Sequence, residues 1–550
     1  MNTTLKPMYD WLHIPWTKVL RDVFKLQKRI YQASLRGDKR TVRKLQRLLI
    51  KSWYGRLLAV RRVTQDNQGK KTPGIDGVVI LDPKRKFTLA QTIHLHGKSQ
   101  PVKRVYIPKP GNKQEKRPLG IPVIRERAEQ AVVKLALEPE WEAKFEAKSY
   151  GFRPGRGAHD AVEAIFNSVI IPKFVLDADI SKCFDRINHE QLLNKLDTFP
   201  LVRRRIKGWL KAGVMDGGVF SSSDSGTPQG GICSPLLANV ALHGLETEIE
   251  AAFPKQKSVK GQRIYWKPQV IRYADDFVIL HRDAPSVEIA RELTETWLEK
   301  MGLELKPEKT KSAHTLNYLK QEKPGFDFLG FTIRQFPLGR KSAPEDDSPQ
   351  RFKTLIKPSQ MGIKRHVDKI RTIIRKHRSS NQGRLIYELN PVIRGWCNYY
   401  STVVSKKVFG KIENVVFQML WSWAKRRHPE KSRHWIYKRY WVAHMERLAF
   451  KDKDSPPIMK HSATPIRRHI KVQTTRSPFD GDWLYWATRM GRYPGLDNKI
   501  AESLKKQQGK CALCGLYFTE LDLPSIVSLA DKDHPSIYCL THRHCQLKCQ

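Results

Sequence analysis

From residue 20 to residue 59 apolar positions recur every three to four residues, with Lys and Arg between them. That period predicts an amphipathic helical pair with a basic outer face. Lys71-Thr-Pro-Gly-Ile-Asp-Gly77 breaks the pattern. Arg104-Val-Tyr-Ile-Pro-Lys109 and Arg117-Pro-Leu-Gly-Ile-Pro122 then predict two short strands of a hairpin, with a long polar turn over residues 111–116. Phe174-Val-Leu-Asp-Ala-Asp179 reads as an apolar strand running into carboxylates. Val270-Ile-Arg-Tyr-Ala-Asp-Asp-Phe-Val-Ile-Leu280 reads as two runs of strand formers around an acidic break. Residues 336–358 shift to Pro, Gly, Ser and Asp and predict a loop or linker.

The acidic break is the first candidate for chemistry. Adjacent Asp275 and Asp276 repel in a half-buried hairpin, and a divalent cation is the usual relief. A charged turn between two strands is the plainer alternative. Two-metal phosphoryl transfer draws carboxylates from separate strands, and the 174–179 run supplies Asp179, with Asp177 as its rival. The predicted hairpin carries Lys109 and Arg117, a point charge and a fork that suit a triphosphate; each alone would read as a solvated surface charge. Ser149-Tyr-Gly-Phe-Arg-Pro-Gly-Arg-Gly-Ala-His159 is Gly- and Arg-rich, which suggests that Arg153 and Arg156 meet phosphates or else that the stretch is a structural loop.

Charge and composition narrow the partner. The 550 residues carry 100 Lys and Arg against 54 Asp and Glu, a formal +46, which implies a polyanion, nucleic acid before a membrane surface. No apolar run approaches a membrane span of about 18 residues, and the first 20 residues lack a signal-peptide core. The expected compartment is therefore the one of synthesis. Residues 351–500 hold 33 Lys and Arg, 10 Asp and Glu and seven of the 14 Trp. Basic residues interleaved with aromatics suit RNA, although a charged helical bundle with an aromatic core has the same composition. Of eight cysteines, five crowd into the last 40 residues, a local metal pattern rather than a disulfide framework. Cys511-Ala-Leu-Cys514 and His542-Arg-His-Cys545 supply two ligand pairs for one tetrahedral Zn²⁺, with Cys539, His544 and Cys549 as competitors.

These strings, in this order, resemble the reverse transcriptases encoded by group II introns. Tyr273-Ala-Asp-Asp276 is similar to the family's catalytic hairpin, and Asp179 followed five residues later by Phe184 to its first metal-binding strand. Thr72-Pro-Gly-Ile-Asp-Gly77, Gly226-Thr-Pro-Gln-Gly-Gly231, Gly302-Leu-Glu-Leu-Lys-Pro-Glu-Lys-Thr-Lys311 and Phe326-Asp-Phe-Leu-Gly-Phe331 resemble further family motifs. Leu389-Asn-Pro-Val-Ile-Arg-Gly-Trp-Cys-Asn-Tyr-Tyr400 and Leu420-Trp-Ser-Trp-Ala-Lys-Arg-Arg-His-Pro429 resemble the family's thumb, or maturase domain, which retroviral enzymes lack.

The resemblance implies an α+β fold: right-hand polymerase fingers and palm, then an α-helical thumb/maturase domain, then a small zinc-binding ββα-type module. The implied division is an N-terminal extension at 1–75, fingers and palm at 76–335, thumb at 336–435, a basic DNA-binding region at 436–504 and an HNH-like module at 505–550. It implies two Mg²⁺ held by Asp179, Asp275 and Asp276, a 2′-hydroxyl gate at Phe184, and Gln229 near the incoming nucleotide. Lys309 would help protonate pyrophosphate, unless it is a plain surface lysine. RNA contacts fall on Arg394, Lys425, Arg426 and Arg427. The implied partners are intron RNA, target DNA and dNTPs, with no membrane and with a homodimer left open; the implied location is the bacterial cytoplasm or an organellar matrix or stroma.

The C-terminal module departs from the family. Leu523 stands where an HNH nuclease has its general-base histidine, and Gln546 stands where it has a metal-holding histidine. The expectation is a zinc fold that has lost DNA cleavage, with a shifted base at His534 as the alternative. A reverse transcriptase detached from an intron and an RNA-binding splicing factor with a dead polymerase are the competing functions.

Overall fold

The computed structural model describes residues 10–550 apart from 110–111, 260, 320, 339–351, 445–446, 453, 474, 520–521, 523–524, 529–537 and 548–550. The basic N-terminal stretch forms three helices rather than a pair: α1 (Trp16–Leu35), α2 (Lys39–Lys51) and α3 (Trp53–Arg61). Capping chemistry explains the extra break. Gly37 takes a left-handed turn at φ 71°, and the Asp38 carboxylate accepts from the Thr41 N–H at 2.9 Å. Ser52 then starts α3 by accepting from the Gly55 N–H at 3.0 Å. The apolar faces of these helices close around a long central helix at residues 124–142, and Val19, Ile30, Leu49 and Val60 are buried there.

The predicted hairpin forms as β1 (Val102–Lys109) and β2 (Asn112–Ile121). Its turn is shorter than expected, because Asn112 already pairs with Lys109. Lys116 pairs with Pro108, so the extra residues are absorbed by a bulge beside a proline that has no N–H to give the ladder. The central helix α4 (Ile124–Glu142) comes next, and Gln27 of α1 donates to its Leu135 carbonyl at 2.9 Å. After it come α5 (Ala158–Ser168), β3 (Phe174–Asp179), and the small hairpin β4 (Val214–Asp216) and β5 (Val219–Ser221), in which β4 pairs parallel to β1.

A second sheet is the centre of the molecule. It contains β6 (Gln269–Tyr273), β7 (Asp276–His281) and β8 (Lys311–His314), in the order β8-β3-β7-β6. Every neighbouring pair is antiparallel. The sheet is buried on both faces, so its strands read as continuous apolar runs rather than as an alternation. Leu176, Ala178, Phe277 and Ile279 face a core shared with α1–α4. Val175, Val278, Leu280 and Ala313 face a second core. Burial of a side chain such as Phe277 contributes roughly 2 kcal/mol.

The chain beyond residue 325 builds most of the second core. Strands β9 (Phe326–Phe328), β10 (Phe331–Pro337) and β11 (Phe352–Pro358) form a three-stranded antiparallel sheet. Part of the stretch expected to be a linker is therefore a strand: Phe352 to Pro358 pairs residue for residue with β10, burying Ile356 and Pro358 on one face. Three helices stand on this sheet, α6 (Gln360–Lys376), α7 (Gln382–Tyr400) and α8 (Lys406–Arg427). Tyr399 and Tyr400 of α7 donate to the carbonyls of Leu329 and Gly330 at 2.9 and 3.0 Å and dock the helices onto the strands.

Residues 472–504 belong to the same core. Trp486 is fully buried and Phe479 packs against Phe24 and Tyr31 of α1. The tie is polar as well: the Asp160 carboxylate accepts from His469 at 3.0 Å, from the Val472 N–H at 2.7 Å and from Arg489. Among the described residues no helix is long and apolar enough to cross a membrane.

Candidate active site and cysteine cluster

The carboxylates sit where the central sheet ends. In β3 and β7 alternate side chains share a face, which puts Asp177, Asp179 and Asp276 on the side of Val175 and Val278. Asp179 and Asp276 are cross-strand partners. Tyr273 pairs with Asp276, so the hairpin between β6 and β7 turns on only two residues, Ala274 and Asp275. Asp275 therefore occupies the tip of the turn, while Asp276 begins the strand.

This turn is strained and held. Ala274 is left-handed at φ 59°, where a side chain costs roughly 1–3 kcal/mol. Buried Arg272 donates from Nη1 to the Ala274 carbonyl and to Asn239 Oδ1, both at 3.2 Å. Asn239 in turn donates to the Gly151 carbonyl at 2.8 Å. A Cβ at Gly151 would lie 2.3 Å from the Ala274 nitrogen, so only glycine lets this loop close over the turn. Tyr150 N–H donates to the Arg272 carbonyl at 2.9 Å. Gly151 and Arg272 fall within strings that stand out in the sequence, yet neither string gives Arg272 a role. Arg–Tyr–Ala–Asp–Asp read as a unit, with arginine in an apolar strand, is the signal that could have found Arg272.

Arg153 and Arg156 are not aimed at phosphates. Arg153 is buried in a two-pronged pair with Glu142, at 2.9 and 3.0 Å. Arg156 donates to the carbonyls of Ala147 at 2.7 Å and Arg476 at 3.1 Å. Two arginines on a loop that must be held against the acidic hairpin are consumed in holding it.

The electrostatics are those of a crowded acidic site. Burial raises Asp275, with the Asp179 charge adding to it. Burial and then the charges of Asp275 and Asp179 push Asp276 up to about 7. Asp177 is likewise raised to about 7, by burial and then by Asp276. Lys309 makes an ion pair with Asp179; burial opposes its charge, but this contact raises it above the ordinary lysine range. Arg117 is exposed, and its charge lowers both Asp275 and Asp276. The side chain of Lys109 lies outside the described residues.

A cavity of about 550 Å³ is bounded by β1, β4 and residues 221–229. Phe184 and Gln229 line it together with Arg104, Lys182 and Gly120. Phe184 meets Phe152 edge-on at 6.1 Å between ring centres. The 226–229 loop is zipped to both sides: Thr227 N–H donates to the Phe184 carbonyl at 2.5 Å, and Gly120 N–H to the Gln229 carbonyl at 2.8 Å. Nothing in the sequence marks Arg104 and Lys182 as cavity residues, because isolated surface cations carry no period or motif.

A second cluster lies near the C-terminus. One donor atom each from Cys511, Cys514, His542 and Cys545 falls within 4.8 Å of the others. The chain doubles back between the first pair and Leu516, with Cys511 N–H donating to the Leu516 carbonyl at 2.8 Å and Gly515 at φ 72°. Burial opposes ionisation of Cys511, but backbone N–H groups of Cys514, His542 and Leu513 bring it down to about 6. His542 presents its other nitrogen to Asp522 at 3.5 Å, the usual support for a metal-binding imidazole. Cys539 and His544 stand outside the set, and His544 stacks on His542. Cys549, Leu523 and His534 lie outside the described residues.

The basic residues of α8 divide. Lys425 and Arg426 are exposed. Arg427 is engaged internally, donating to the carbonyls of Arg378 and Ser380 at 3.0 and 2.8 Å with its guanidinium 4.7 Å from the Trp423 ring centre. Arg394 is exposed on α7.

Paired carboxylates at the rim of a central sheet and a cation-lined cavity are groups able to hold divalent cations and phosphates. Comparison with known proteins gives the family. Residues 107–333 match the pattern described as reverse transcriptase (RNA-dependent DNA polymerase), and residues 11–93 match the N-terminal domain of reverse transcriptase. Residues 363–441 match the group II intron, maturase-specific domain. Protein YkfC of Escherichia coli (strain K12) is 32% identical over 333 residues, covering 53% of this chain and 83% of that protein. The group II intron-encoded protein LtrA of Lactococcus lactis subsp. cremoris is 28% identical over 55% of this chain, which spans 60% of its length. Maturase-like protein 1 of Euglena longa is 25% identical over 70% of this chain and 77% of its own. The chain belongs to the group II intron-encoded reverse transcriptases and carries both an RNA-directed DNA polymerase domain and a maturase domain.

Proposed function

We propose that this chain binds the RNA of its own group II intron, assists its splicing and copies it into DNA from a primer at a target site. The observation that carries the reading is the placing of Asp179 and Asp276 opposite each other with Asp275 at the turn between β6 and β7. Asp275 and Asp276 are half-buried with raised proton affinity and stand beside half-buried Asp179, which fits a pair of divalent cations, because cations would relieve the repulsion between them. Two Mg²⁺ held by Asp179, Asp275 and Asp276 would supply activation of the primer hydroxyl and neutralisation of the leaving phosphates. The chain's own groups do the rest. Phe184 flanks the cavity where a 2′-hydroxyl would enter, Arg117 and Arg104 attract the triphosphate, and Gln229 borders the base. Lys109 is assigned to the triphosphate from sequence alone. Lys309 leaves Asp179 and donates a proton to pyrophosphate.

In this reading β1 and β2 act as fingers, the central sheet as palm, and α6–α8 as thumb and maturase surface, with Arg394, Lys425 and Arg426 on RNA. Residues 436–504 add charge for target DNA. Three thiols and one imidazole suit Zn²⁺, held by Cys511, Cys514, His542 and Cys545, which would fix the fold of the last 40 residues. Gln546 comes directly after that set in place of a histidine, so the module holds zinc without cutting DNA. The test supplies purified protein with RNA transcribed from the intron flanking its gene and a DNA duplex bearing the exon junction. Splicing is faster with protein, cDNA extends from the nicked strand, and the opposite strand remains whole. Failure to bind that RNA overturns the reading, and specific cleavage of the opposite strand overturns the loss of the nuclease.

A further inference from the structure

Where α6 passes α8 lies a groove of about 470 Å³, lined by none of the carboxylates of the central sheet. Its floor is apolar: Ile374 is buried, Met419 half-buried, and Val415 is 40% exposed. Its rims are cationic on both sides, with Arg375 and Arg378 from α6 and the turn after it, and Arg426 from the last turn of α8. Among the described residues these three have no ion-pair partner, whereas Arg371 on the same rim is paired with Asp368. Arg427 fixes the distance between the rims, because its guanidinium bonds the carbonyls of Arg378 and Ser380 across the gap. One wall carries Gln418 and Ser422; the Ser422 hydroxyl donates to the Gln418 carbonyl at 3.0 Å, which leaves its oxygen able to accept.

An apolar floor between guanidiniums without ion-pair partners among the described residues suits one ligand chemistry, a heterocycle bearing a phosphate. Arginine grips phosphate with paired donors, and the floor removes a base face from water. The volume lies within the roughly 300–1,000 Å³ of small-ligand sites. In a duplex the base faces are already stacked, so the occupant must be unpaired. We propose that this groove binds a single unpaired ribonucleotide, base on Val415, Ile374 and Met419, phosphate between Arg375 and Arg426, with Gln418 and Ser422 reading its edge or its 2′-hydroxyl. This rests on the reading that the maturase helices hold RNA, and it adds that they select RNA by a splayed-out base rather than by charge alone.

The test uses the full chain and two fluorescent RNA hairpins, identical except that one carries a single bulged adenosine. Wild type prefers the bulged hairpin by about tenfold. Met419→Glu, which puts a carboxylate on the floor, binds both hairpins equally; Met419→Leu retains the preference and shows that the position tolerates change. The double variant Arg375→Gln/Arg426→Gln makes the log–log salt slope shallower by about 1–2. Equal preference in Met419→Glu and wild type, or an unchanged slope in the arginine variant, overturns the groove while leaving RNA binding intact. If wild type binds neither hairpin, the RNA reading itself fails. Displacement of the bulged hairpin by polyglutamate at matched charge concentration would assign the groove to an acidic protein instead.

Discussion

Asp179 and Asp276 stand directly opposite each other on neighbouring antiparallel strands, two like charges at a position where sheets normally place attraction. The sheet tolerates them because its two faces are filled by separate cores, one with α1–α4 and one with α6–α8. Stability from that packing offsets the repulsion between the two carboxylates.

Gly151→Ala should damage catalysis without contacting substrate. The added Cβ would sit 2.3 Å from the Ala274 nitrogen and must displace the turn that carries Asp275. A displacement of this kind costs about 10²-fold in rate. Primer extension under single-turnover conditions should fall by about that factor while the melting temperature changes by only a few degrees. An unchanged rate would remove Gly151 and Arg272 from the set that positions the hairpin.

Much of this is legible from residues alone. The strands at 174–179 and 270–280, the three carboxylates and the four clustered Cys and His residues are all readable, since each rests on a local pattern of period, charge pair or spacing. What is illegible is long-range. Arg153 and Arg156 look like phosphate binders until Glu142 and the Arg476 carbonyl, far away in the chain, are seen to take them. Arg427 looks equivalent to Arg426 until the loop after α6 is seen to consume it. The strand Phe352–Pro358 is hidden because its partner, β10, lies across a Pro- and Asp-rich stretch. The three N-terminal helices read as two because the Ser52 cap interrupts the apolar period for only one residue.

Phe184→Ala should relax nucleotide choice. Phe184 lines the cavity that carries Arg104 and Lys182, and its ring is held edge-on by Phe152. Removing it should lower the measured preference for dNTP over rNTP by at least about tenfold, since a lost steric clash of about 1–3 kcal/mol has that size. An unchanged ratio would displace Phe184 as the gate.

Asp160 should make stability depend on acid. Burial opposes its charge, but His469, Arg489 and the Val472 N–H hold it down at about 2. A depressed carboxyl stabilises the fold above its unfolded value near 4 and loses that contribution as pH falls toward 2. The shift corresponds to about 2 kcal/mol. Asp160→Asn should therefore melt below wild type at pH 7, and the gap should narrow as pH falls below about 4. A gap constant with pH would mean that the contacts with residues 469–489 do not depend on the carboxylate charge.

Zinc content gives a fourth check. Purified protein should carry about one zinc per chain, and Cys511→Ser should lose it. Cys539→Ser should keep it, because Cys539 stands outside the cluster. Loss in the second variant and retention in the first would reassign the ligands.

The most direct measurement is primer extension on an RNA template by Asp275→Ala. Asp275 sits alone at the tip of the two-residue turn, so its removal takes away a carboxylate without breaking a strand pair. Extension should fall by at least about 10³-fold, several kcal/mol of transition-state stabilisation, with intron RNA bound as tightly as by wild type. Extension at the wild-type rate would contradict the carboxylate assignment and move the polymerase site elsewhere.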